Sequence, residues 1–486
     1  MRICFIHPPW GDVYSQFKDA ARLGNSYPPL GLCYLSAMIK QERPDDIVRI
    51  IDMEVEGVSL PELLIEIATF RPDLVGIVAT SPIFNMAETI AKELKIQFKC
   101  PVVLGGPHPT VLPKETLEKN PQIDYVIAGE GEETIVALLN LIENNHSSDI
   151  PGLWRRDEVG KIVISSSREL NQDLDKLPIP RRELLPINNY LWSIPGKKGF
   201  VKFTTIMTYR GCPFQCIFCS ARAVFGGKVR KRSVDLILDE MEQVIRDFDI
   251  RHFSFIDDTL TLNRKHISAI SQGIIDRKLN ITWEGFTRAN LVDQEILDLM
   301  AKAGLVRISF GIETGDAEML KRIKKGVTLG DIPKAFAMAK KAGLETKGSA
   351  IIGFPHETRE TLTKTIDFLY SLKNCDQVYL NICTPYPGSE LWDMALRGEG
   401  GMELLTKDFS QYKRYGNPVV RINDIEPEDL INFQRKGMRK FYFTPRRIWY
   451  NLTRAGFAAG IKNAIAFARG AIFPAKMYKG IRKEDL

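Results

Sequence analysis

The sequence predicts an α/β protein in which a Rossmann-like domain precedes a partial (β/α)6 TIM-like barrel and a helical C-terminal extension. Short apolar segments alternate with helical ones twice, over residues 1–145 and again from residue 201. This alternation is typical of parallel sheets covered by helices. The 486-residue chain is also too long for one ordinary core. Its composition, 44% hydrophobic and 26% charged, indicates a folded globular protein.

The first series contains five predicted strands, within RICFIHPP, VRIIDM, LVGIVATS, CPVVLGG and DYVIAGEGE. Parallel sheets bind ligands at the carboxyl ends of their strands. Glycine, proline and polar residues collect at these ends, and the candidate binding residues there are Pro9, Trp10, Ser81, Gly105, Gly106, His108, Gly129 and Glu130. Glycine at such positions lets the backbone approach a bulky ligand.

Residues 146–200 are rich in Pro, Arg and Asn and lack periodicity, which is typical of a linker. Six strand and helix units then follow over residues 201–395, with strands within KFTTIMTYRG, RHFSFIDD, ITWEGFTR, VRISFGIE, ETKGSAIIGF and QVYLNICTP. Six such units predict a partial barrel with its active site at the carboxyl ends of the strands. Residues 396–486 form the predicted extension.

The N-terminal decapeptide MRICFIHPPW predicts a first strand, not a secretory signal, and no apolar run is long enough to span a membrane. Eight cysteines are too few for a disulfide scaffold, so we expect a reducing compartment, the cytoplasm. The net charge of +6 is concentrated at the C-terminus, where thirteen Lys or Arg face two acidic residues after residue 434. Within this tail, apolar residues recur at three- and four-residue spacing, namely Phe457, Ile461, Ala464, Ile465, Ala468 and Ile472, with Arg454, Lys462 and Arg469 between them. This pattern predicts a basic amphipathic helix, either on a membrane surface or packed over the barrel.

Three cysteines form a C-x3-C-x2-C pattern directly after the first barrel strand, at Cys212, Cys216 and Cys219. Three thiolates on a [4Fe-4S] cluster leave one iron open to an external ligand, which suits chemistry at the cluster. A structural zinc site needs four ligands, and no histidine or fourth cysteine lies nearby in the sequence. The pattern therefore predicts an iron-sulfur cluster.

The segment RGCPFQCIFCS resembles the signature of the radical S-adenosylmethionine superfamily. The resemblance implies that the open iron binds S-adenosylmethionine and that Phe218 lies near the adenine. FGIETG resembles the segment that places a glutamate, here Glu313, at the ribose and methionine end of that cofactor. GSAIIGFPHET resembles the glycine-proline motif beside the adenine, which implies roles for Gly353 and Pro355.

Two carboxylates, Asp257 and Asp258, end the second barrel strand. They predict general acid and base catalysis or substrate positioning. The alternatives are an N-cap of the next helix and hydrogen bonding to the cofactor.

The first domain resembles the cobalamin-binding subgroup of the same superfamily through PPW, YPPLGLCYLSAMI, GGPHPT and GEGEET. The second of these segments adds Pro29 to the candidate residues. The D-x-H-x-x-G motif, whose histidine binds cobalt in other cobalamin domains, is absent. The resemblance therefore implies cobalamin without an obligatory protein histidine, and His108 is either a polar loop residue or a residue that approaches the corrin.

The resemblance implies a radical enzyme that methylates an unactivated carbon of a small-molecule or lipid-like substrate. It also implies an electron donor such as flavodoxin or ferredoxin, and no nucleic-acid partner is expected. The alternatives are an oxidative cyclase like the anaerobic porphyrin cyclases, a tRNA methylthiotransferase and a non-catalytic cobalamin sensor. Cys4 and Cys33 lie in apolar segments where cysteine is commonly a small buried residue, which disfavours the methylthiotransferase.

Overall fold

A seven-stranded sheet forms the N-terminal domain, in the order β2-β1-β3-β4-β5-β6-β7. The computed structural model describes residues 1–11, 26–144, 149–164, 166, 169–413 and 416–454. The strands are β1 (Arg2–His7), β2 (Ile47–Asp52), β3 (Leu74–Val78), β4 (Val102–Gly105), β5 (Tyr125–Ile127), β6 (Leu153–Arg156) and β7 (Ile162–Ile164). The first five are parallel, as predicted.

The helices of this domain cover a sheet whose strands are buried along most of their length. They are α1 (Leu30–Glu42), α2 (Met53–Glu56), α3 (Leu60–Phe70), α4 (Phe84–Gln97), α5 (Pro107–Val111), α6 (Pro113–Lys119) and α7 (Glu132–Asn144). Local signals explain their bounds: α3, for example, begins with a capping box between Ser59 and Glu62. The order in which successive strands are added to the sheet reverses between β1 and β3, so the carboxyl ends of these two strands border a crevice.

The sheet continues past residue 145 into the predicted linker. Strands β6 and β7 pair antiparallel, and β6 pairs antiparallel with β5. Short strands that lack apolar alternation take their pairing from the neighbouring edge, which explains why the sequence did not reveal them. The rest of the segment contains β8 (Leu191–Trp192), which pairs with β9 (Val201–Lys202).

Six parallel strands form the predicted partial barrel, in sequential order. They are β10 (Thr204–Ile206), β13 (His252–Phe255), β14 (Thr282–Thr287), β15 (Leu305–Glu313), β16 (Glu345–Ile352) and β17 (Gln377–Ile382). A hairpin of β11 (Tyr209–Arg210) and β12 (Arg230–Lys231) follows the first strand. The helices are α8 (Ala221–Phe225), α9 (Val234–Phe248), α10 (Arg264–Asp276), α11 (Gln294–Lys302), α12 (Ala317–Arg322), α13 (Asp331–Lys341), α14 (Arg359–Ser371) and α15 (Glu390–Arg397).

One face of the barrel strands packs on these helices. Trp283 lies 4.7 Å from Phe255 and Phe310 lies 5.1 Å from Phe336 of α13, measured between ring centroids. A Cβ on Gly348 would lie 3.3 Å from Phe336, so glycine permits close packing of α13 on β16. The opposite, concave face of the same strands is therefore the barrel lumen.

The C-terminal extension contains β18 (Met402–Leu404), β19 (Val420–Ile422), α16 (Pro427–Tyr442) and α17 (Pro445–Arg454). Helix α16 packs on α14 and β17, at the open edge of the barrel. Residues 455–486, which carry most of the predicted amphipathic segment, lie outside the described residues. Among the helices of the described ranges, none is long and apolar enough to cross a membrane.

Candidate active site

The three cysteines lie on the loop between β11 and α8, and the barrel holds this loop through its backbone. The N–H of Ile217 donates to the carbonyl of Ile323 at 3.2 Å, and its carbonyl accepts from Leu391 N–H at 2.8 Å. Gly211 has a φ of +96°, and a Cβ there would lie 2.2 Å from the Lys228 carbonyl oxygen. Only glycine fits this turn, which starts the loop.

The thiols of the cysteine loop are the candidate ligands of the cluster. Cys212 and Cys216 are half-buried and Cys219 is exposed. In the part of the chain that the structure describes, no group of three His, Cys, Asp or Glu side chains converges on one ion. A [4Fe-4S] cluster binds each thiolate through a different iron, so its ligands surround a larger volume. Burial raises the pKa of the half-buried Cys212 thiol above its ordinary value, so iron must displace its proton.

The predicted S-adenosylmethionine residues meet beside this loop. The ring of Phe218 lies 5.7 Å from that of Phe354, the residue after Gly353, and 5.8 Å from Lys325 Nζ. Lys325 donates to the Glu313 carboxylate at 2.6 Å, and both side chains are buried. Glu313 has a φ of +63° at a register shift between β15 and β16. Such a conformation is costly for a residue other than glycine and is typical of functional sites.

Glu357 holds the backbone of the glycine-proline motif at the end of β16 through hydrogen bonds. Its carboxylate accepts from the N–H groups of Gly353 at 2.5 Å and Phe354 at 2.9 Å. Its second oxygen is buried without a hydrogen-bond partner. Burial raises the pKa of Glu357 to about 8, so this carboxyl carries a proton in the folded protein below that pH. Pro355 packs on Gly400 of the extension, where a Cβ would lie 2.6 Å from it.

We expect the free energy of unfolding to fall as pH rises from the ordinary pKa of 4.5 to about 8. In this range the unfolded chain releases the Glu357 proton while the folded chain retains it. The fall amounts to a few kcal/mol, because one pKa unit corresponds to about 1.4 kcal/mol. Glu357→Gln keeps the acceptor oxygen and cannot ionise, so it flattens this dependence in urea unfolding at both ends of the range. The exposed Glu360→Gln is the control, and an equal slope in wild type and Glu357→Gln would refute the assignment.

The paired aspartates have different surroundings. Asp257 is only 3% exposed. Its carboxylate accepts from Thr208 Oγ1 at 2.7 Å and from the N–H groups of Thr208 at 2.8 Å and Tyr209 at 3.2 Å. Asp257 therefore holds the backbone that leads into the cysteine loop, and its predicted role in catalysis stays a prediction. Asp258 is exposed, and its charge contributes to the raised pKa of Cys212, behind the larger effect of burial.

The N-cap alternative for these aspartates is wrong. Asn263, not either aspartate, caps α10, because its side chain accepts from the N–H of His266 at 2.9 Å. The prediction placed the start of the helix too early, since four residues separate Asp258 from the cap.

Glycines form an open edge at the carboxyl ends of β4 and β5. A Cβ at Gly105 or Gly129 would meet nothing within 4 Å, whereas one at Gly106 would lie 2.7 Å from the Ala79 carbonyl. Gly106 has a φ of +105° and makes the turn into α5, and Gly129 N–H donates to Thr110 Oγ1 at 3.0 Å. The open surface at Gly105 and Gly129 fits the approach of a flat macrocycle such as cobalamin.

His108 lies inside an aromatic cluster. Its ring stacks on Phe84 at 3.9 Å and meets Phe409 of the extension edge-on at 4.6 Å. Its Nδ1 lies 3.0 Å from Ser81 Oγ, and burial lowers its pKa to about 3. The neutral ring thus joins the ends of β3 and β4, which supports the polar loop interpretation over an approach to the corrin.

Trp10, after β1, is held by a chain of polar contacts. Its indole N–H donates to His7 Nε2 at 3.1 Å, and His7 Nδ1 lies 3.2 Å from the buried Asp52 carboxylate. Tyr190 donates to the same carboxylate at 2.6 Å. Pro9 is half-buried beside Trp10, and Pro29, also half-buried, precedes α1. The predicted residues of β1, β3, β4 and β5 therefore lie along one edge of the sheet.

Glu130 and Glu132 of the first domain pair with arginines of the barrel. Glu130 accepts from Arg230 at 2.7 Å and lies 3.0 Å from Arg210, which also reaches Glu132 at 2.5 Å. Burial opposes ionisation of Glu130, but Arg210 and Arg230 together hold its pKa below its ordinary value. The structure thus makes Glu130 part of an interdomain clamp, and Arg210 precedes the cysteine loop by one residue. Its predicted contact with cobalamin stays a prediction.

Sequence reasoning did not identify Arg210, Arg230, Lys325 or Glu357. The first two are ordinary charges until the fold brings the domains together. Glu357 lies within GSAIIGFPHET, where an acidic residue close to an apolar strand end is a usable signal. Lys325 is twelve residues from Glu313 and has no local signal.

Comparisons with known proteins agree with both halves of this site. Residues 206–369 match the model of the radical SAM superfamily, and residues 19–139 match that of the B12 binding domain. Together they support a [4Fe-4S] cluster, S-adenosylmethionine and cobalamin as the cofactors.

Two curated relatives and one solved structure cover most of the chain. Uncharacterized methyltransferase PH0819 of Pyrococcus horikoshii is 36% identical over 92% of this chain and 93% of its own. The anaerobic magnesium-protoporphyrin IX monomethyl ester cyclase of Rubrivivax gelatinosus is 28% identical over 93% of this chain and 80% of its own. The radical S-adenosylmethionine methyltransferase TsrM of Kitasatospora setae, solved with cobalamin and a [4Fe-4S] cluster, has a TM-score of 0.69 and 18% identity over 92% of this chain and 89% of that one. The chain therefore belongs to the cobalamin-binding group of the radical S-adenosylmethionine enzymes.

Proposed function

We propose that this enzyme methylates an unactivated carbon of an apolar small molecule or lipid-like substrate. One observation carries the proposal: the carboxyl edge of the first sheet faces the carboxyl edge of the barrel. A Cβ on Gly388, in the loop after β17, would lie 2.5 Å from Val111 of α5 and 3.2 Å from Ala223 of α8. The interdomain clamp at Arg210 joins the same two edges.

This arrangement brings radical formation at the barrel and methyl supply at the first domain to the same space between the two edges. When bound, the cluster with S-adenosylmethionine supplies a 5'-deoxyadenosyl radical, and cobalamin supplies a methyl group. The chain's own residues position these groups. Backbone hydrogen bonds to the barrel fix the cysteine loop. Helix α5, which directly follows the open glycine edge at Gly105 and Gly106, packs on α8. Holding reactants in a fixed relative geometry is itself a large part of catalysis.

The barrel lumen supports an apolar substrate. Its face exposes three large side chains, Ile256 at 42%, Phe286 at 49% and Tyr379 at 41%. Phe286 pairs in register with Ser309, and Tyr379 with Ser349. Asn381 donates to Ser349 Oγ at 3.4 Å, which adds a small polar group to the same face. A mainly apolar surface with a few polar groups is typical of a small-molecule site.

The polar end of the lumen is neutralised within the protein. Arg307 is buried and pairs with Glu284 and with Glu345, the latter at 2.5 Å. Burial opposes ionisation of Glu284, but the charges of Arg307 and Lys347 hold its pKa below its ordinary value, so two cations balance the two carboxylates. A strongly charged substrate therefore finds no excess charge among these four groups, which favours an uncharged part of the substrate at that depth.

The cyclase alternative rests on the Rubrivivax relative and uses the same cofactors. The methyltransferase is favoured because PH0819, named a methyltransferase, is more similar and matches nearly the full length of both chains. A non-catalytic sensor does not explain the three cysteines, the strained Glu313 and Phe218 in one cluster of contacts.

We expect the reconstituted enzyme to transfer a methyl group from S-adenosylmethionine to bound cobalamin even when no substrate is supplied. The reaction contains a strong reductant and S-adenosylmethionine with a deuterated methyl group, so that the transferred methyl group is labelled. Methyl transfer to bound cobalamin leaves S-adenosylhomocysteine, whereas radical formation leaves 5'-deoxyadenosine and methionine. Mass spectrometry should detect both nucleosides, and omission of cobalamin should abolish only S-adenosylhomocysteine. Formation of 5'-deoxyadenosine alone would contradict methyl transfer and favour the cyclase.

Membrane contact, the cytoplasm and a flavodoxin or ferredoxin partner stay predictions. Helix α17 packs on the barrel, since Arg447 donates to the Leu372 carbonyl at 3.0 Å and Tyr450 to Glu345 of β16. These contacts lie at the amino end of β16, and the predicted amphipathic positions 457–472 lie outside the described residues. Ile448 and Trp449 are exposed beside Arg446. Among the described residues, they are the best candidates for a peripheral lipid contact.

A further inference from the structure

Arg288, at the end of β14, lies against the cysteine loop. It is 5% exposed, and its guanidinium lies 3.7 Å from the centre of the Phe214 ring. Its Nη1 donates to Cys216 Sγ at 3.5 Å. The stacked ring fixes the plane of the guanidinium and so aims its N–H groups at the loop.

The charge of Arg288 lacks the kind of partner that other buried arginines have. Five arginines pair with buried carboxylates, namely Arg182, Arg210, Arg230, Arg232 and Arg307. Arg447 donates to two backbone carbonyls. Within the described ranges Arg288 has no such partner, and its Nε is buried without an acceptor. A buried cation without a counter-charge is costly, so the site calls for an anion.

Cysteines bound to iron supply that anion. A thiol that coordinates a metal is deprotonated, and a hydrogen bond from a charged donor to the resulting thiolate is stronger than one between neutral groups. Each added electron makes the cluster more negative, so a nearby cation stabilises the reduced state more than the oxidised state. Hydrogen bonds to cluster sulfurs are among the features that set the reduction potential.

We propose that Arg288 is a positioning residue that raises the reduction potential of the [4Fe-4S] cluster through its hydrogen bond to the Cys216 thiolate. This inference rests on the proposed cofactors and is independent of methyl transfer. It assigns Arg288 to the cluster itself, so its effect is present before S-adenosylmethionine binds.

The test is a redox titration of the reconstituted full-length protein without S-adenosylmethionine, followed by electron paramagnetic resonance. At a fixed potential, Arg288→Gln should lower the ratio of reduced to oxidised cluster about tenfold, which is about 59 mV for one electron. Arg288→Lys keeps the charge without the planar geometry and should show a smaller shift in the same direction. Arg264→Gln removes an exposed arginine that pairs with Asp293 and Glu295, and it should leave the ratio unchanged.

The iron content shows whether a changed ratio reflects the reduction potential of the cluster or a failure of the variant to fold and bind the cluster. Equal iron in Arg288→Gln and wild type together with the shifted ratio supports the proposal. If Arg288→Gln does not retain iron, Arg288→Lys decides: a lowered ratio supports the proposal and an unchanged ratio overturns it. An unchanged ratio in Arg288→Gln with weaker binding of S-adenosylmethionine would also overturn it, because the guanidinium would then serve the cosubstrate.

Discussion

Cys216→Ala protein is expected to lose bound iron and S-adenosylmethionine cleavage together, while it retains its cobalamin. Each cysteine of the loop binds a separate iron, so two remaining thiols do not hold the cluster. We expect iron to fall from about four atoms per chain to less than about one after anaerobic reconstitution, and 5'-deoxyadenosine to fall to background. Iron analysis, cobalt analysis and mass spectrometry measure the three quantities on the same sample.

Cys100→Ala is the matched control. Cys100 is half-buried in the first domain, outside the cysteine loop, and its replacement should leave iron and cleavage unchanged. A Cys216→Ala protein that still cleaved S-adenosylmethionine would refute the cluster assignment. An unchanged cobalt content in Cys216→Ala would also show that the first domain binds cobalamin independently of the cluster.

Removal of Glu130 is expected to destabilise the protein by about 3–5 kcal/mol, because it leaves Arg230 buried without a carboxylate. For a domain of this size the thermal unfolding midpoint should fall by roughly 6–20 °C. Glu130→Gln is the variant of choice, since it removes the charge and nearly preserves the shape. Glu143→Gln, whose exposed carboxylate pairs with Arg43, should change stability by less than about 1 kcal/mol.

A double variant separates the clamp from the predicted cofactor contact. Glu130→Leu with Arg230→Met replaces the buried pair by apolar side chains and should recover most of the lost stability. If Glu130 also contacts cobalamin, the double variant stays defective in cobalt content after its stability returns. A double variant no more stable than Glu130→Gln would refute the pairing as the cause of the loss.

The periodicity of the sequence was sufficient to predict both parallel sheets, because their buried strands are apolar along most of their length. All five strands of the first series and all six of the barrel are present. Strands β6 and β7 were missed because their sequences, LWRR and IVI, carry little local signal and depend on the exposed edge of β5.

In the candidate site, too, the sequence predicts residues with a local signal and misses contacts that depend on the fold. Cys212, Cys216 and Cys219 are close in sequence, so their spacing alone predicts their shared role. Glu313 at the end of β15 contacts Lys325 after α12, and Arg288 after β14 contacts Cys216 in the cysteine loop. These pairs join separate elements, and only the fold brings them together. A strand-end carboxylate is a common catalytic feature, which is why the sequence predicts a catalytic Asp257, but the sequence does not show the three hydrogen bonds through which Asp257 also holds the backbone.

The most direct test of the account is an anaerobic reconstitution of the full chain with iron, sulfide and hydroxocobalamin, followed by metal analysis of the desalted protein. The account predicts about four irons and about one cobalt per chain, bound together. Four irons without cobalt would contradict the proposed joint site, because the glycine edge that faces the cysteine loop would then need another ligand.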